Sequence, residues 1–123
     1  MKIKICSIIL LACLACNTKK SNKTFDFKSG NFISYLENKK DSSVFYREKG
    51  LQIETYKNKT DTFEIIWKDK FEFHLQKTNP NTKLDSTNFR VKITKIKDNA
   101  YDFEAGYENS NFKQKGSTYK ISD

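Results

Sequence analysis

From Phe25 onward, apolar side chains recur at every second position, and this period of two constrains the fold more than any other feature of the sequence. It is clearest in Phe63-Glu64-Ile65-Ile66-Trp67, Phe71-Glu72-Phe73-His74-Leu75 and Phe89-Arg90-Val91-Lys92-Ile93. Tyr101-Asp102-Phe103-Glu104-Ala105 and Leu51-Gln52-Ile53-Glu54 repeat it, and Phe32-Ile33-Ser34-Tyr35 and Val44-Phe45-Tyr46 follow it less cleanly. A strand with one buried face produces this alternation, because successive side chains point to opposite sides of the sheet. A last strand is expected from Phe112 to about Ile121, and no stretch carries a helical stripe with caps.

Short polar segments separate the runs: Glu37-Asn38-Lys39-Lys40-Asp41, Lys49-Gly50, Lys57-Asn58-Lys59, Lys68-Asp69-Lys70, Lys97-Asp98-Asn99 and Glu108-Asn109-Ser110-Asn111. Connections this short make sequential hairpins the natural topology. The longest gap, residues 78–87, holds the only proline, Pro80. Gly116 falls inside the last strand, where glycine marks a bulge or a close backbone approach. The expected fold is therefore all-β: a single antiparallel up-and-down meander of seven to eight strands, curled into a small lipocalin-like barrel or half-barrel. A β-sandwich is the alternative. Phe63, Ile65, Trp67, Phe71, Phe73, Leu75, Phe89, Val91, Ile93, Tyr101 and Phe103 form the expected interior. So many large aromatic groups predict an interior that is filled rather than hollow.

The beginning of the chain has a different grammar. Lys2 and Lys4 precede an apolar run over residues 5–15 and then Cys16, the anatomy of a secretory signal. The run is shorter than the roughly 20 residues that span a bilayer. Leu14-Ala15-Cys16-Asn17 resembles the lipobox of bacterial lipoproteins, in which the cysteine takes a diacylglyceryl group and, with its acyl chains such as palmitate, becomes the first residue after cleavage. Cys13, after Leu10-Leu11-Ala12, is the alternative, but cutting there strands Leu14-Ala15 in water. The resemblance implies a signal peptide over residues 1–15, a lipidated cysteine and polar tether over 16–23, and a β domain over 24–123. Cleavage would remove Lys2 and Lys4 and take the net charge from +8 to about +6. All three cysteines lie in the signal, so the body has neither a disulfide nor a thiol nucleophile.

The residues left for chemistry are few. His74 is the only histidine, and alternation places it opposite Phe73 and Leu75, as a solvated strand residue. Without a second imidazole or a body thiolate, no metal site and no cofactor is expected. Glu54, Glu64, Glu72, Asp102 and Glu104 are the carboxylates an acid–base pair would draw on. Their phase sets them opposite the apolar positions, next to lysines, which fits cross-strand charge pairing instead. With no glycine-rich phosphate loop and no nucleophile elbow, the chain reads as non-catalytic. The surplus of lysine and arginine (23 against 15 Asp and Glu) gathers in turns rather than between exposed rings, so nucleic acid is not an expected partner.

Phe27-Lys28-Ser29-Gly30-Asn31-Phe32, Leu51-Gln52-Ile53-Glu54, Trp67-Lys68-Asp69-Lys70-Phe71-Glu72-Phe73, Asn79-Pro80 and Lys113-Gln114-Lys115-Gly116 occur in this order. The series resembles a family of small lipoproteins from Bacteroidetes bacteria, of flavobacterial type. The resemblance implies an envelope protein, lipid-anchored to a membrane and carrying no assigned activity. Members often hold a pair of cysteines where this chain has Thr24 or Phe25 and Phe71, so a tie available to relatives is missing here. A DNA topoisomerase label attached to some members has no counterpart in so short an exported chain. The tether lacks the acidic residues that resemble a surface-export signal in such lipoproteins, which favours the outer membrane with the domain facing the periplasm; the cell surface is the alternative. The expected role is a module that docks an envelope protein or glycan, favoured by the filled interior; a carrier of a small apolar ligand inside the barrel is the alternative.

Overall fold

The computed structural model describes residues 26–123; the signal, the tether and both candidate lipidation sites, Cys16 and Cys13, lie outside them. Eight antiparallel strands follow one another: β1 (Gly30–Leu36), β2 (Ser42–Glu48), β3 (Leu51–Tyr56), β4 (Lys59–Trp67), β5 (Glu72–Lys77), β6 (Phe89–Lys97), β7 (Ala100–Tyr107) and β8 (Gln114–Ser122). Each pairs with the next, and β8 pairs with β1, so the sheet closes into a barrel. The expected lipocalin-like meander is thus a full barrel, neither a half-barrel nor a sandwich. Closure removes the free edges that an open sheet would offer to other chains.

The inward positions of β4 to β7 are those that the alternation marks: Ile65, Phe73, Leu75, Val91, Ile93 and Tyr101 are buried. Phe27, Phe32, Phe45 and Ala105 complete the buried apolar core. Phe71 does not belong to it. It precedes β5, in the turn after β4, and is 53% exposed, because the alternating register of β5 begins only at Glu72.

A second difference lies in β3. Gln52 is buried while Leu51 and Ile53 are exposed, so this strand turns its polar positions inward and its apolar ones to solvent. The period is as expected and the face is reversed. Neighbouring β2 explains why: Arg47, directly opposite Gln52, also points inward, and the two side chains satisfy each other in the interior.

On the outer wall of β4 to β8, Glu64, Glu72, Arg90, Lys92, Glu104 and Lys115 alternate with the core residues, with Ile66, Ile96, Tyr119 and Ile121 exposed among them. Charges at these positions suit a wall in water and not one against hydrocarbon. His74 also faces outward, yet it is buried, with only 8% exposed, contrary to the expectation of a solvated residue. In register it sits between Ile66 and Arg90. The Arg90 guanidinium reaches back to Glu72 at 2.8 and 3.0 Å, covering the imidazole, whose Nε2 lies 3.6 Å from the Glu72 carboxylate.

Candidate functional site: a floor and a cavity in the barrel

The N-terminal turn seals one end of the barrel. Asp26 organises it, accepting from the Lys28 amide at 2.8 Å and from the Ser29 hydroxyl at 3.3 Å. The turn drops Phe27 into the barrel, edge-on to Tyr101 with ring centroids 5.1 Å apart. Gly30 follows at φ +110°, where a side chain would be strained and a Cβ would press on Lys120 at 2.8 Å. Lys120, inward on β8, donates to the Asp26 carbonyl at 2.7 Å and so ties the turn to the last strand.

Above Phe27 lies Arg47, 1% exposed. Its Nε donates to Gln52 Oε1, Nη1 to the Phe27 carbonyl and Nη2 to the Tyr101 hydroxyl, each at 2.9 Å. Phe73, Phe45 and Phe32 surround the guanidinium at 4.7, 4.8 and 4.9 Å from their ring centres, with Trp67 and Tyr101 at 5.9 Å. Among the described residues no carboxylate comes within ion-pair distance of it. Hydrogen bonds and aromatic faces offset the cost of its desolvation. Its nearest link to a carboxylate runs through Gln52, whose Nε2 donates to Glu54 at 3.2 Å.

Toward the other end the interior opens into a cavity of about 160 Å³. The β5–β7 side is apolar, built by Phe73, Leu75, Val91 and Phe103; the β8–β1–β2–β3 side carries Thr118, Ser34, Ser43, Gln52 and Glu54, interrupted by Phe45. Arg47 and Tyr101 form the base, and Gln114, an exposed residue, reaches the upper wall, so the cavity communicates with solvent at that end. The aromatic content predicts a filled interior, and the barrel differs from that expectation at this end: Ser34, Ser43 and Thr118, side by side on β1, β2 and β8, and Ala105 on β7 are too short to fill it.

Glu54 is the titratable group of the cavity. Burial pushes its carboxyl above the ordinary value of 4.5, with nearby Asp61 adding to the rise, while Ser43, Gln52 and Arg47 act the other way. Asp61 stands opposite Glu54 in the β3–β4 register and is itself held by Lys77 at 3.3 Å; Lys77 also approaches Asp85 of the long β5–β6 loop at 3.7 Å. Asp85 accepts from the Asn81 amide, the first of the contacts that lower its pKa, and this pins the loop containing Pro80 beside the rim.

Of the carboxylates singled out in the sequence, Glu54 alone enters the barrel. Glu64, Glu72, Asp102 and Glu104 face outward; Glu72 pairs with Arg90 and Glu104 with Lys115 at 3.8 Å, the cross-strand pairing that alternation implies. Among the described residues no three His, Asp or Glu side chains converge as metal ligands would. Sequence reading missed Arg47; its signal was its position two residues after Phe45, in the inward phase of β2.

Fold and site together define a small up-and-down β-barrel with a sealed floor and an internal cavity. No protein-family model, curated protein or solved structure matches the chain.

Proposed function

We propose that this chain is a non-catalytic envelope lipoprotein, anchored through Cys16, whose barrel holds a small amphipathic molecule. The observation that carries this reading is the cavity of about 160 Å³ with an apolar wall facing a polar strip. A cavity of roughly 150 Å³ takes a benzene-sized guest, so a long acyl chain is too large and a compact ring or short branched chain fits. Glu54, Ser43 and Thr118 offer such a guest hydrogen-bonding partners along one side only, which fixes its orientation. The periplasmic face of the outer membrane is the proposed location, with the cell surface as the alternative.

Native mass spectrometry of the full-length protein, extracted gently from the producing cells, tests the reading. A co-purifying small molecule is expected. It should be lost from Ala105→Leu, which adds bulk at a buried position on the cavity wall, at an overpacking cost of about 1–3 kcal/mol. A bare polypeptide mass from the unaltered protein would overturn the carrier reading. The intact mass of the same material also decides between Cys16 and Cys13, and an unacylated product removes the anchor.

A further inference from the structure

A second concavity lies on the outside of the barrel, where β7, β8 and β1 run side by side. Its volume is about 680 Å³. Two cross-strand rows build it. In one, Tyr35, Ser117 and Asp102 stand side by side on β1, β8 and β7; in the next, Lys115 stands beside Glu104. Adjacent strands lie about 4.8 Å apart, so the first row spans about 10 Å from Tyr35 to Asp102. The depression is shallow-floored because the residues between its walls are short: Ser117 and Thr94 line it. Gly116 contributes backbone only; in the inward phase of β8, a Cβ there would meet the Tyr35 carbonyl oxygen and the Phe103 ring on the core side.

The chemistry of the walls is mixed in a particular way. Tyr35 and Tyr119 are 37% and 44% exposed and meet edge to face, with ring centroids 6.2 Å apart. Opposite them Asp102 accepts from the Ser117 hydroxyl at 2.7 Å, and Glu104 lies 3.8 Å from Lys115 Nζ. Glu37 and Lys39 close the far end. Three carboxylates thus face two ammonium groups, in a chain whose overall charge is +8. A polyanion would seek the basic surface elsewhere and not this groove. A lipid chain would have to desolvate the carboxylates. An extended peptide has no strand edge to extend, because the barrel is closed.

We propose that this outer groove binds a neutral saccharide of the cell envelope. Sugar rings carry polarised C–H groups on one face, which suit the electron-rich faces of Tyr35 and Tyr119. Their neighbouring hydroxyls donate to the oxygens of Asp102 and Glu104 and accept from the Lys115 ammonium, while Ser117, whose proton goes to Asp102, can only accept. The groove lies outside the barrel and shares with the internal cavity only Leu36 and Phe103, neither of which the sugar contacts use, so the proposal stands or falls independently of the carrier reading.

Titration calorimetry of the full-length protein tests it, with two probes: the neutral and the acidic oligosaccharide fractions released from the producing cell's own envelope polysaccharide. The neutral fraction should bind. Tyr35→Ala and Tyr119→Ala should each weaken it at least about tenfold, equivalent to about 1.4 kcal/mol. Asp102→Asn should weaken it severalfold, and Tyr119→Phe, which keeps the ring, should retain most of the affinity. Tyr56→Ala, another exposed tyrosine but outside the groove, should bind as the unaltered protein does, and so should Ala105→Leu. Melting curves of the variants confirm that they are folded. The proposal is overturned if the neutral fraction gives no binding heat, if only the acidic fraction binds, or if both tyrosine-to-alanine proteins bind undiminished. Loss of binding in Ala105→Leu with the tyrosine variants intact would move the sugar into the cavity and overturn it equally.

Discussion

The two ends of the barrel obey the same alternation and yet differ in what their inward side chains leave behind. At the floor, long side chains end in groups tied to their neighbours, Arg47 to Gln52, Phe27 and Tyr101, and Lys120 to Asp26, while the Trp67 indole N–H beside them is buried without a hydrogen-bond partner among the described residues. Toward the mouth, Ser34, Ser43, Ala105 and Thr118 stop short, and the remaining volume is the cavity. The floor spends its polar groups on holding the N-terminal turn to the strands. The upper half keeps Glu54 half-buried beside Asp61, with its charged form disfavoured. A barrel of this size accommodates both a rigid base and a binding space by grading side-chain length along its axis.

The sharpest way to break the contrast is at Arg47. Arg47→Ala empties the ring cage and strands Gln52 Oε1, the Phe27 carbonyl and the Tyr101 hydroxyl, and should cost about 3–5 kcal/mol in denaturant unfolding. Arg47→Met strands the same three groups and removes the same charge but refills the cage with an apolar chain, and should cost clearly less because little cavity is left. Equal losses from the two variants would mean that the charge, and not the filled cage, holds the floor.

The next effect belongs to the upper half and is read from pH. Glu54 binds its proton more tightly folded than unfolded, so its contribution is fully present below the ordinary value of 4.5. It is lost as pH rises through the raised folded value. Subtracting the stability curve of Glu54→Gln from that of the unaltered protein cancels the other groups and should leave a fall with rising pH in that window. A rise there would show Glu54 to be stabilised as the carboxylate, as part of the Arg47 network.

The smallest effect concerns a turn at the mouth. Lys57 and Asn58 both have positive φ, 47° and 63°, in the two-residue link from β3 to β4. Such turns favour glycine at the second position. Asn58→Gly should therefore leave the floor untouched and raise stability by no more than about 0.5 kcal/mol, measurable as a small shift in the denaturant midpoint.

These differences also explain what could be read from the sequence. The strands β4 to β7 were legible because their apolar residues alternate and face inward, and the turns between them because they are short and polar. Alternation reports the period of a strand but not which face is buried. In β3 the exposed pair Leu51 and Ile53 outweighs Gln52 and Glu54 in hydrophobicity, and only the partner on β2, Arg47, reverses the assignment. Alternation puts His74 on the outer wall but does not reveal its neighbour Arg90, which the register brings from β6 to lie beside it and to reach Glu72 on His74's own strand. Closure, cavity and groove depend on distant parts of the chain. The β1–β8 pairing joins Ile33 to Tyr119 and Tyr35 to Ser117, and no local pattern contains that information.

The fastening of Asp26 has one more consequence. The chain enters the barrel at its sealed base, so any segment preceding Asp26 leaves from the end opposite the opening. The start of the first strand and the mouth of the cavity are thus at opposite poles, so whatever enters the cavity does so at the pole farthest from where the described chain begins.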